Sequence, residues 1–131
     1  MGLHEMDKDE AKQVTPYEFM GGEEAVRRLT DAFYDTMERD PDFALLRALH
    51  AADLAPMRWR LFAFLSGWLG GPRLYTGCVM GGHARIAIGA QARDEWLACM
   101  DRAMVETEVP EAVGALIAPA FVRMAEAMRN R

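Results

Sequence analysis

Long apolar runs are missing from this chain. A helix that spans a bilayer needs about 20 consecutive apolar residues, and every run here is broken by a charge, a proline or a glycine well before that length. The first residues, Met1 to Ala11, are charged and lack the apolar centre of an export signal. Cysteine is almost absent as well. The two residues, Cys78 and Cys99, make no disulfide framework, and a chain of 131 residues builds a core without one, so both are expected as free thiols. Positive charge is neither abundant nor clustered. With 15 Lys and Arg against 20 Asp and Glu the net charge is −5, which gives phosphate backbones little to bind and argues against nucleic acid. These absences point to a cytoplasmic protein with neither a membrane nor a nucleic acid as partner.

Catalytic signatures are missing too. There is no Gly-x-Ser-x-Gly, no glycine loop ending in Gly-Lys-Ser/Thr, and no carboxylate pair on an apolar face, which removes the common hydrolases and nucleotide enzymes. Histidine occurs only as His4, His50 and His83, never three or four residues apart, so a zinc site of ordinary spacing is excluded. No stretch alternates apolar and polar residues as a half-buried strand does.

What is present is helical periodicity in a chain of the size and balance of one domain, 51% apolar and 27% charged. Residues 1–14 carry little periodic apolar content and are expected as a flexible tail before a domain over 15–131. Thr15-Pro16-Tyr17-Glu18 is a helix start, and Gly21-Gly22 ends that helix within two turns. From Glu23, Val26, Leu29, Phe33 and Met37 recur at spacings of three and four, with Tyr34 on the flank, until Asp40-Pro41 stops the helix. Asp42 to Ala52 reads as loop. A second strong helix is expected from about Leu54 to Trp68, with Met57, Leu61, Phe64, Leu65 and Trp68 on one side and Arg58, Arg60 and Ser66 elsewhere. Gly70-Gly71-Pro72 terminates it. The glycine-rich stretch that follows is expected as loop with at most a turn or two of helix around His83. Ala90 to Glu106 and Glu111 to Asn130 are the last two helices, with Pro119 as a candidate kink in the second. The class is all-α.

The segments Tyr17-Glu18-Phe19-Met20-Gly21-Gly22-Glu23, Phe33-Tyr34-Asp35-Thr36-Met37 and Leu45-Leu46-Arg47-Ala48-Leu49-His50 carry a resemblance, and two further runs make it specific. These are the run from Arg60 to Trp68-Leu69-Gly70-Gly71-Pro72, and Arg93-Asp94-Glu95-Trp96-Leu97 following His83. Together they resemble the group II truncated haemoglobins, the two-over-two helical globins, over nearly everything from Tyr17 to Met104.

The resemblance implies a two-over-two helical sandwich around a non-covalent haem b. No Cys-x-x-Cys-His is present to attach it through thioethers. His83 would be the axial ligand of a pentacoordinate iron. Tyr34, Trp96 and His50 would be the polar groups stabilising a ligand on the opposite face, and Phe33, Leu54, Met57, Leu61, Phe64, Leu65 and Ile88 would line the pocket. Arg60 and Tyr75 would meet the propionates. The ligands implied are O₂, NO and CO, with oxygen binding or transport, NO detoxification or peroxidase-like chemistry as activities, the last two dependent on an external reductant. The protein would be a monomer or homodimer. The chain departs from the family between Tyr75 and His83, where only seven residues intervene and a basic stretch expected to touch a propionate is missing. An alternative reading is therefore a globin-fold sensor or interaction module with weakened haem binding, and Cys78 is a candidate redox sensor beside the site.

Overall fold

The structure, a computed structural model, describes residues 14–77, 83 and 86–131. The expected tail, apart from Val14, and Cys78 lie outside the described residues. Six α-helices occur among them: α1 (Pro16–Met20), α2 (Gly22–Arg39), α3 (Ala44–Ala48), α4 (Ala55–Trp68), α5 (Ala90–Glu106) and α6 (Glu111–Met128), with a 3₁₀ turn, Pro41–Phe43, before α3. No strand is formed among the described residues.

Helix α2 is the hub of the fold. Val26, Leu29 and Phe33 are completely buried and Met37 nearly so, because their spacing lays them along the stripe that faces both α4 and α5. Each such side chain contributes roughly 1.5–3 kcal/mol of transfer free energy. Helices α5 and α6 are joined by the short link Thr107 to Pro110, so they fold back on each other as a packed pair. The pair α2/α4 thus lies across the pair α5/α6, and α2 against α5 is the main junction between them. Helix α6 runs unbroken through Pro119.

Helix ends follow the local chemistry. Thr15 caps α1 by accepting from the Glu18 N–H at 3.1 Å. Past α4 the backbone turns through Gly70 at φ +95°, and a Cβ on Gly71 would sit 2.5 Å from the Tyr17 ring. The two glycines therefore let the end of α4 press against α1, where the Tyr17 N–H donates to the Leu69 carbonyl at 2.9 Å.

Two expectations need correction. Asp42 to Ala52 is not simply loop: Asp40 accepts from the Asp42 N–H at 2.9 Å and starts a 3₁₀ turn that leads into α3, which buries Phe43 and Leu46. The segment is too short for periodicity to reveal it, and tertiary packing supplies the stability. Ser66 is fully buried rather than on a polar face, its hydroxyl donating to the Pro72 carbonyl at 2.8 Å.

One buried hydroxyl has no partner. Thr30 donates back to the Val26 carbonyl at 2.9 Å, whereas Thr36 Oγ1 is buried with no partner among the described residues. A desolvated, unpaired hydroxyl costs about 1–3 kcal/mol. Thr36→Val, which keeps the shape, is expected to leave stability unchanged or raise it by about 1 kcal/mol, as read from the urea midpoint; a loss of that size would show that the hydroxyl is paired in solution.

Candidate functional site

Eight rings form a continuous arc through the interior. His50 lies edge-on to Tyr34 at 5.9 Å between centroids, Tyr34 meets Phe33 at 5.0 Å, and Phe33 meets Trp96 at 5.4 Å. Trp96 meets Phe121 at 5.4 Å, Phe121 stacks on Trp68 at 4.9 Å, Trp68 on Phe64 at 6.3 Å, and Phe64 meets Tyr75 edge-on at 6.1 Å. Every helix except α1 and α3 supplies at least one ring, so the arc exists only once the two pairs have packed. His83 is partly buried, with the Ile86 N–H returning to its carbonyl at 3.0 Å. It is close enough to His50 to be one of the smaller influences on that ring.

The polar tips of the arc are unusual for a core. Tyr34 is 5% exposed, yet its hydroxyl donates to no described residue, and neither does the partly buried Trp96 Nε1–H. Buried hydroxyls and indole N–H groups normally find acceptors. Burial pushes the Tyr34 hydroxyl far above the ordinary phenol range, with Arg58 only partly opposing it, so Tyr34 stays a donor at any accessible pH. Burial also lowers the His50 pKa, partly offset by its contact with the Leu46 carbonyl, while Arg47 and His83 push it down further. His50 is therefore neutral at pH 7.

Cys99 lies behind the arc, fully buried, its thiol donating to the Phe33 carbonyl at 3.2 Å. Burial raises its pKa from 9.0 to about 12, against a smaller opposing pull from Arg102. A raised pKa adds stability that is complete below the unfolded value and is lost as pH rises through the folded one, here from about pH 9 towards 12. In a Cys78→Ser background, Cys99 of the native protein is expected to react with thiol reagents at pH 8 at least about a hundredfold more slowly than in the unfolded chain. Comparable rates would mean that the α2/α5 junction opens freely.

Helix α4 shows what cofactor the arc suits. It has no single apolar face. Phe62, Leu65 and Leu69 are buried on the side towards α2, while Met57, Leu61, Phe64 and Trp68, at spacings of four, three and four, form a second apolar stripe that is only partly covered. A helix apolar on two sides is one that packs on two sides, and this second stripe borders the Phe64, Trp68 and Tyr75 stretch of the arc. Among the described residues no three His, Cys, Asp or Glu side chains converge on a metal. A partly buried imidazole, in a chain that also carries a partly covered apolar stripe, suits a metal that arrives within its own flat, largely apolar macrocycle. The residues fit a haem.

The remaining expected residues are placed as follows. Phe33, Leu54 and Leu65 are buried in the main core, Phe33 as a member of the arc and Leu65 on the α2 side of α4. Arg60 stands exposed beside the second stripe without an ion pair to any described residue. Ile88 is partly buried, its N–H donating to Asn130 Oδ1 at 2.8 Å, while Asn130 Nδ2 donates to the Ile86 carbonyl at 2.7 Å. Asn130 thereby ties the segment after His83 to the end of α6. Sequence reasoning missed Asn130 altogether, took Trp68 for plain core, and placed Phe121 only as one position of an apolar stripe. Nothing in the local pattern distinguishes a ring that closes an arc from one that fills space.

A chain helical throughout its described residues that lays one helix pair across another, with a tyrosine and a tryptophan in one interior arc of rings, is a small globin of the two-over-two kind. Residues 15–130 match the family described as bacterial-like globin. The Group 2 truncated hemoglobin YjbI of Bacillus subtilis is 35% identical over 94 residues, 68% of either chain. Among solved structures, the group II 2-on-2 hemoglobin of Agrobacterium tumefaciens is 38% identical with a TM-score of 0.86, over 89% of this chain and 95% of that one. The truncated oxygen-avid haemoglobin of Bacillus subtilis is 29% identical with a TM-score of 0.81, over 89% of this chain and 100% of that one. The chain belongs to the bacterial-like globin family, within its group II truncated haemoglobins, and the family implies a haem cofactor.

Proposed function

We propose that this globin holds a non-covalent haem b between α4 and the segment carrying His83, and takes up O₂ and other diatomic ligands, NO and CO among them, with high affinity for O₂. The observation that carries the reading is the hydroxyl at the tip of the Tyr34 side chain, which burial keeps protonated and which spends its proton on no described residue. When bound, the haem supplies the iron that takes up the ligand. His83 would hold that iron through an imidazole nitrogen. Tyr34 and Trp96 would turn their hydrogens to a bound ligand, favouring one that gains partial negative charge over one that does not. Met57, Leu61, Phe64 and Trp68 keep water from the face they line, and Arg60 and Tyr75 stand where charged or polar edge groups of the cofactor would be met. The relative described as oxygen-avid shares the fold. Conversion of NO or peroxide would draw electrons from an external reductant. Localisation in the cytoplasm belongs to the same proposal; no helix among the described residues is long and apolar enough to cross a membrane.

Titration of the purified protein with hemin tests this. One equivalent is expected to give an intense Soret band that shifts on reduction and again on addition of CO. A protein that stays colourless with hemin in excess would end the proposal.

A further inference from the structure

Short helix α3 packs against α5 and α2, and one side chain holds its start. With Phe43 as N-cap, Leu46 is the third residue of α3, and its N–H is among those a helix leaves without an internal partner. Phe43 offers no side-chain acceptor. The partner comes instead from another helix: Glu95 Oε1 accepts from the Leu46 N–H at 3.0 Å, and Glu95 Oε2 accepts from Gln91 Nε2 at 2.9 Å. Glu95 is 9% exposed, so its carboxylate is fixed by these two donors rather than by solvent, and it lies beside the positive end of the helix it caps. On the other side of the same residue, the Leu46 carbonyl lies 2.8 Å from His50 Nδ1.

A carbonyl oxygen can only accept, so the Nδ1···O contact fixes the proton of neutral His50 on Nδ1. Its Nε2 is then left as an acceptor, on a ring that meets Tyr34 edge-on. This differs from the expectation that His50 adds a third donor.

We propose that Glu95 is a positioning residue for the ligand site: by capping α3 through the Leu46 N–H it holds the Leu46 carbonyl against His50 Nδ1, and so fixes the His50 tautomer whose Nε2 can only accept. The inference rests on the ligand-binding role assigned to Tyr34 and His50 above. Glu95 reaches the site only through α3, and its position next to Trp96 lets α5 place the indole and the imidazole together.

The test is histidine tautomerism by ¹⁵N NMR on ¹⁵N-histidine protein, read in the ferrous CO form and again before hemin is added. The His50 signals are identified by their loss in His50→Asn. The wild type is expected to show a single Nδ1–H tautomer for His50. Glu95→Gln, which keeps an acceptor oxygen, should preserve it. Glu95→Leu should lose it, giving a mixture with Nε2–H, while the Soret band and helical circular dichroism persist. If the leucine variant does not fold, Glu95→Asp, one methylene too short to reach Leu46, provides the same reading. An Nε2–H tautomer in the wild type, or an unchanged Nδ1–H tautomer in a folded leucine or aspartate variant, would overturn the proposal. Failure of the protein to take up hemin would leave the tautomer readable and would count against the ligand site instead.

Discussion

Replacing His83 with alanine is expected to weaken hemin binding by at least about a hundredfold, and millimolar imidazole is expected to restore the visible spectrum of the wild type. Residues that merely orient a metal ligand cost 10- to 100-fold when lost, so loss of the ligand itself should reach at least the upper end of that range. The rescue separates two readings. If His83 only supported the fold, free imidazole would not repair the damage; if it supplies the iron with a nitrogen donor, small imidazole can occupy the space the side chain vacated. An alanine variant with unchanged hemin affinity and spectrum would remove His83 from the site and transfer the question to His50, which is close enough for His83 to influence its ring.

The second large effect is kinetic. Tyr34→Phe is expected to speed O₂ dissociation by about tenfold to more than a hundredfold, because a hydrogen bond to a charged partner is worth roughly 1.5–3 kcal/mol. Stability should change little, since the hydroxyl donates to no described residue and the ring keeps its contacts with Phe33 and His50. Burial keeps the hydroxyl protonated far into the alkaline range, so its contribution should be constant from pH 6 to 9. His50 sets the acid limit. Its lowered pKa means that the unfolded chain takes up a proton before the folded one does, and stability should fall as pH drops below about 6.5, the ordinary histidine value. Stopped-flow displacement of O₂ by CO measures the rate. An unchanged rate in Tyr34→Phe would show that the hydroxyl does not reach the ligand and would leave Trp96 as the principal donor.

The helices that carry the site were legible because they obey local rules. The three-and-four spacing in α2 and the glycine stop after α4 are statements about neighbours in the chain, and so are the proline starts of α1 and α6. His83, Tyr34, His50 and Trp96 were found through their placement within segments resembling one family, not from any chemistry visible at single positions. The parts that escaped were non-local. Helix α3 is five residues long and is stabilised by Phe43, Leu46 and a carboxylate 49 residues away in sequence. Ser66 was read as a polar face position because a hydroxyl in a periodic pattern cannot announce the carbonyl that will bury it. Asn130 follows the last helix, and its contacts with Ile86 and Ile88 span more than 40 residues.

By itself, then, the sequence determined the helices, because periodicity, caps and turn residues act within a few positions of the chain, and its resemblance to one family singled out the residues proposed to meet a cofactor. It could not say which atom of a side chain carries a proton or where that proton points. That was decided by packing, which closed eight rings into an arc, left the Tyr34 hydroxyl without an acceptor among the described residues, and brought Glu95 to the N–H and His50 to the carbonyl of the same leucine. A hydrogen bond is a matter of position to a few tenths of an ångström, and only the tertiary fold defines position on that scale.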